Sequence, residues 1–161
     1  MVAPNAIFTA AEDTLPASIG ISMQDGCAAF TQMRHVASRA LAGLKQAEQL
    51  PRILQLRVDR NNVRELEIFP SVEINSDGHR VLVAGFPLPK DLVSEMSKGT
   101  KIRFAYTPGT NQTHYLRFSL LGFTAAHKWL SAQCSGTADI ASPASSVGKN
   151  PAVHDDANFF K

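Results

Sequence analysis

The sequence predicts a mainly β domain of the α+β class. It should be a small antiparallel β-sandwich or open barrel of about six strands, with a long N-terminal helix and a short C-terminal helix. Three observations predict this. Between residues 52 and 121 apolar residues alternate with polar ones in short runs, as half-buried strands require. The runs are punctuated by Asp59-Arg60-Asn61-Asn62, Asn75-Ser76-Asp77-Gly78 and Pro108-Gly109-Thr110-Asn111, residue types that tolerate turn geometry. On both sides of that region the apolar spacing lengthens to three and four, the mark of a helix buried on one face.

Taken in order, residues 26–50 read as the long helix. Phe30, Met33, Ala37, Leu41, Leu44 and Ala47 recur at helical spacing, Asp25 is a candidate cap, and Pro51 ends the run. The first strand then places Leu54, Leu56 and Val58 on one side and Gln55 and Arg57 on the other. Strands follow through Leu66 and Ile68, through Val72 and Ile74, and across Arg80 to Ala84, with the Asn75–Gly78 turn between the last two. Asp91 to Met96 forms a short helix ended by Lys98-Gly99. Ile102, Phe104 and Tyr106 alternate with Arg103 and Ala105, and Leu116, Phe118 and Leu120 share a face of the closing strand. A helix with Ala126, Trp129 and Leu130 inward ends the domain at Cys134. Short connections between these strands predict meander order.

The chain has 161 residues, 44% of them hydrophobic and 19% charged, which suits one domain with appendages. Residues 1–18 read as an N-terminal extension, 19–134 as the β-rich domain and 135–161 as an extended or disordered tail. A net charge of +2 argues against coating nucleic acid. No run approaches the roughly 18 apolar residues of a membrane span. The start, Met1-Val2-Ala3-Pro4-Asn5, lacks the basic and apolar regions of a signal peptide. The tail is rich in Ser, Ala, Gly and Pro and finishes in Phe159-Phe160. It reads either as a free end or as a segment that orders on a protein partner.

A search for chemistry returns little. There is no nucleophile elbow, Walker A loop, dinucleotide fingerprint or zincin motif. The histidines at 35, 79, 114, 127 and 154 have no metal-ligand spacing among themselves or with a cysteine. His127 and Cys134 lie about two helical turns apart but have no orienting group or oxyanion donor beside them. His154-Asp155-Asp156 reads as a solvated polar run. No catalytic residue, metal or cofactor is therefore expected, and a small-molecule ligand is not implied.

Cys27 and Cys134 flank the predicted β-region. Paired, they would close a loop of about a hundred residues, worth roughly 4–5 kcal/mol in the chain-entropy picture. Unpaired, they would be two buried thiols of a cytosolic protein. Arg52, Arg57, Arg60 and Arg64 gather around the first hairpin. Arg60 and Arg64 have the spacing by which PilZ domains grip the phosphates of cyclic di-GMP, with Arg57 beside them. The second PilZ motif is not met, because Ile74 and His79 stand at its polar and glycine positions. The bland reading of these arginines is a solvated hairpin tip.

Residues 115–134, YLRFSLLGFTAAHKWLSAQC, resemble the closing strand and helix of proteobacterial envelope proteins related to the invasion-associated locus B family. Leu92 to Phe104 is similar to that family's penultimate strand and the helix before it, and Asp25-Gly26-Cys27-Ala28 to one of its cysteine steps. An early tryptophan of the family is absent, and the helix read over 26–50 stands where the family has strands. The resemblance implies a β-sandwich, an oxidising envelope compartment and no catalytic residues. The resulting expectation is a non-enzymatic periplasmic or envelope-associated protein, an accessory or structural subunit whose tail, through Phe159 and Phe160, docks on a partner. The alternative is a cytoplasmic PilZ-like regulator with Arg57, Arg60 and Arg64 as the anion site.

Overall fold

A computed structural model describes residues 5–10 (backbone only), 17–37, 41, 50–108 and 113–136. Its strands are β1 (Asn5–Ala10), β2 (Ala17–Met23), β3 (Ala29–Val36), β4 (Ile53–Val58), β5 (Arg64–Glu67), β6 (Phe69–Ile74), β7 (Arg80–Pro87), β8 (Lys101–Tyr106) and β9 (His114–Ser119). Two helices have described bounds, α1 (Lys90–Lys98) and α2 (Phe123–Cys134). The strands form two open sheets, in the orders β1-β2-β3-β7-β6 and β5-β4-β8-β9. Every described pairing is antiparallel.

The core lies between the sheets. Ile19, Ile21, Met33, Leu82 and Phe86 from the five-stranded sheet join Leu54, Leu56, Ile102, Phe104, Leu116 and Phe118 from the four-stranded one. Phe104 bridges them: its ring centroid is 6.2 Å from that of Phe86 and 5.7 Å from that of Phe118. Leu92 and Met96 of α1 and Phe123 and Leu130 of α2 complete the cluster. Apolar surface from two sheets and two helices thus shares one interior, the burial a domain of this size needs.

Three expectations are corrected. Residues 29–36 are not helical: they form β3, pairing with β2 on one side and β7 on the other. The inward residues of β3 are Thr31, Met33 and His35. Because two of the three are polar, the period of two was masked, and Phe30, Met33 and Ala37 mimicked a helical stripe. Leu41 is helical, and residues 38–40 and 42–49 lie outside the described set. There are nine described strands, not six; β1 and the start of β2 fall within the segment read as an extension, 1–18.

The order is not a meander, because the chain changes sheet between β5 and β6. Buried Ile68 is the corner, and its N–H donates to Arg52 O at 2.9 Å. Pro70 then sits in β6, an edge strand, where a missing N–H breaks no ladder.

The local devices are ordinary chemistry well placed. Between β6 and β7, Asn75 Oδ1 accepts the N–H of Asp77 at 3.1 Å and of His79 at 2.8 Å, with Gly78 at φ +79°. Gly122, at φ +84°, turns the chain from β9 into α2. A 3-10 turn, Asp25–Cys27, precedes β3 and presents Cys27 at φ +60°.

Candidate functional site

Cys27 and Cys134 are joined by a disulfide, with Cα atoms 5.7 Å apart. The bridge ties the turn before β3 to the last residue of α2 and closes a separation of 107 residues. Neither thiol is free. Trp129 and Cys134 are partly buried against the core, so the end of α2 is held by packing as well as by sulfur.

The hairpin arginines do not form one clamp. Arg64 lies opposite Leu56 in the register, so it shares that residue's face of the sheet, whereas Arg57 points to the other face. Arg64 is bound to Asp91 and, at 2.9 Å, to Glu95, both on α1. The hydrogen bond that it donates to Asp91 is the main reason its guanidinium is held above its ordinary range. Arg57 Nη2 donates to Arg60 O at 2.8 Å. Arg64 thus spends its charge on α1, and the trio is divided between two surfaces. Phe159 and Phe160, with the whole of 137–161, lie outside the described residues.

Pairing creates a different arrangement. Arg57 of β4 lies opposite Arg103 of β8, and Arg103 lies opposite Arg117 of β9. The three stand in one row on the outer face of the four-stranded sheet. Each sits between two core residues: Leu56 and Val58, Ile102 and Phe104, Leu116 and Phe118. That repeated apolar-Arg-apolar step is the signal present in the sequence, but it does not announce that the three steps are neighbours. Arg103 Nη1 also reaches Asp59 O at 3.4 Å. The Asp59 carboxylate accepts the Thr100 hydroxyl at 2.7 Å and the N–H groups of Thr100 and Lys101 at 2.9 and 3.0 Å. Partial burial alone would raise this carboxyl; these hydrogen bonds and the charge of Arg103 hold it below the ordinary range.

The next position along the same face holds Gln55, Ala105 and Tyr115. Here a depression of about 410 Å³ opens, lined by Arg52, Ile53, Gln55, Ala105, Tyr106 and Tyr115 among others.

Behind its floor lies a polar cluster that sequence reasoning missed. His35 Nδ1 and the Tyr106 hydroxyl share a hydrogen bond, the Tyr106 and His114 rings stack at 5.3 Å, and His35 meets His114 edge-on at 5.7 Å. Burial, reinforced by the neighbouring His114, lowers His35 to about 4. Burial also lowers His114 and raises Tyr106. The cluster is thereby kept neutral. Among the described residues no group of three or more His, Cys, Asp or Glu side chains is placed to hold a metal ion. No helix among them is long and apolar enough to cross a membrane.

Fold and site together define a two-sheet β-sandwich stapled by a disulfide, with a row of arginines on one outer face. No protein-family model matches the sequence, and no curated protein sequence matches it. Among solved structures the chain is similar to invasion associated protein B from Bartonella henselae, with a TM-score of 0.53 and 15% sequence identity. The likeness covers 74% of this chain and 76% of that one, and at this identity it is a likeness of fold. It extends beyond the C-terminal stretch in which the residue pattern was read.

Proposed function

We propose that the protein is a non-enzymatic envelope protein, a structural or accessory subunit of a larger bacterial assembly in an oxidising compartment. The observation that carries this reading is the Cys27–Cys134 disulfide. A structural bridge of this kind belongs to secreted, periplasmic or surface proteins far more than to reducing cytosol. The fold likeness to an invasion associated protein supports the same setting. Non-reducing mass measurement on the protein recovered from its native host should show the bridged mass; two free thiols would overturn the compartment.

The tail from 135 to 161 is the docking element, with Phe159 and Phe160 as its apolar anchors on a protein partner. Deleting residues 136–161 should abolish co-purification of that partner from native membranes. Unchanged co-purification would sink the idea. Neither nucleic acid nor a small-molecule ligand is part of this reading. Cyclic di-GMP binding is not favoured, because Arg64 is held by Asp91 and Glu95.

A further inference from the structure

We propose that edge strand β6 pairs with the β6 of a second copy of the chain, antiparallel and about a two-fold axis at Val72. The two five-stranded sheets then join into one continuous sheet. The inference goes beyond the assembly reading and uses neither the tail nor the arginine row.

Three observations carry it. First, β6 turns backbone groups outward and leaves its side chains uncovered. It ends the order β1-β2-β3-β7-β6, with β7 on its inner side. Asn75 N–H donates to His79 O at 3.0 Å, so Ser71 and Glu73 also bond to β7. Ile68 N–H points the other way, to Arg52 O. By the same alternation Val72 and Ile74 turn N–H and C=O to the outer edge, and Pro70 turns its C=O there. Among the described residues six large hydrophobics are exposed, and three of them belong to this strand: Phe69 at 67%, Val72 at 39% and Ile74 at 73%. Second, the edges at β5 and β9 are blunted. β5 places Arg64, Glu65 and Glu67 within its four residues, and β9 lies against β1. β6 carries one charge, Glu73, and Arg34 neutralises it at 2.6 Å.

Third, the strand is complementary to itself in one register. With Val72 opposite the partner's Val72, the two residues exchange a pair of hydrogen bonds. Ile74 N–H reaches the C=O of the partner's Pro70, and the reverse; the missing N–H of Pro70 costs one bond at each end. Val72 and Pro70 stand opposite Leu82 and Ala84 of β7, so with Ile74 they lie on the core side of the sheet. There the register sets valine on valine and isoleucine on proline, an apolar ridge that continues both cores across the axis. On the outer side it sets Glu73 opposite the partner's Ser71. Moving the axis to Glu73 would keep the backbone pairing but oppose two carboxylates directly.

The size of the contact sets its strength. Six residues at about 3.3 Å each make an edge of roughly 20 Å. A contact one strand long is smaller than the roughly 800 Å² per partner of a standard interface, so the dimer is a transient one of micromolar affinity. The occupant is a second copy because the strand suits its own sequence: an apolar residue on the axis, and its one carboxylate opposite a hydroxyl.

The test uses the full chain in sedimentation velocity across the micromolar range. We expect a reversible monomer–dimer equilibrium. Val72→Lys sets two ammonium groups side by side on the axis and should raise the dissociation constant about a hundredfold, a factor of ten from each copy. Ile74→Ser should raise it about tenfold. Ile53→Ser, on the other sheet, should leave it unchanged, and circular dichroism should show every variant folded. Val72→Cys should cross-link to its copy under mild oxidation, because Cα atoms of a hydrogen-bonded pair stand about 5.5 Å apart, within disulfide reach. Glu73→Cys should not, since it leaves the other side of the sheet and faces the partner's Ser71. The native cysteines are already bridged to each other and do not compete. A chain that stays monomeric throughout would overturn the proposal, as would a dimer that survives Val72→Lys. Cross-linking through Glu73→Cys in preference to Val72→Cys would overturn the axis and its register. A dimer lost on deletion of residues 136–161 would assign the contact to the tail, and a dimer seen only after that deletion would show the tail on the edge already; each overturns the proposal. Co-purification of a partner from native membranes tests the assembly reading separately.

Discussion

Buried His35 makes the stability of the protein depend on pH. An unperturbed imidazole titrates near 6.5, whereas burial, reinforced by His114, holds His35 down to about 4. As pH falls, the unfolded chain therefore takes up a proton before the folded one does. The contribution is fully present above about 6.5 and is lost progressively towards 4, amounting to roughly 3 kcal/mol at the lower end. His114 and His127, also lowered by burial, act with the same sign. Urea midpoints should fall across this window, and the fall should shrink in His35→Met. A wild-type midpoint that is flat from 6.5 to 4 would contradict the linkage. Gly99 answers to a different constraint. Its φ of −86° is open to any residue, but a Cβ there would lie 2.4 Å from Val58 Cγ1 and 3.2 Å from Leu120 Cδ1. Its N–H caps α1 by reaching Glu95 O at 3.0 Å. Gly99→Ala should cost about 1–3 kcal/mol through overpacking, read as a lower urea midpoint with an unchanged slope.

Among the elements, α2 has little of its own to hold it in place. No side chain caps its start, where Gly122 occupies the left-handed region. Its anchors are buried Phe123, Ala126 and Leu130 and the bridge from Cys134 to Cys27. Cross-linking residues 107 apart restricts the unfolded chain by roughly 4–5 kcal/mol. The Cys27→Ser, Cys134→Ser double variant should lose most of that amount in denaturant titrations, and reduction of the wild type should reproduce the loss. A variant as stable as wild type would show that packing alone holds the helix. The strands differ in how openly they declare themselves. In β4, β8 and β9 polar and apolar residues alternate, because one face is core and the other outer surface. In β3 the inward face carries Thr31 and His35, and the His35 ring is hydrogen-bonded to Tyr106, 71 residues away. No local pattern contains that partner, so the strand read as helix.

The whole molecule depends on the contact between its two sheets. Phe104 is fully buried and touches Phe86 across the interface and Phe118 beside it. Phe104→Ala should cost about 3–5 kcal/mol, because the cavity would open between two layers that cannot both collapse into it. Calorimetry should show one cooperative transition at a lower Tm. Separate transitions for two parts of the chain would show that the sheets do not share one core.

The alternation of β4, β8 and β9 and the Asn75–Gly78 turn are properties of the sequence by itself, since each is written within a few neighbouring residues. Only the tertiary structure decided that β3 is a strand, that the chain changes sheet at Ile68, that Arg64 turns to α1 and that Arg57, Arg103 and Arg117 stand in one row. The physical reason is register. Which residues face one another across a sheet depends on hydrogen bonds between strands far apart in the chain, and a one-residue slip would move any of these side chains to the opposite face.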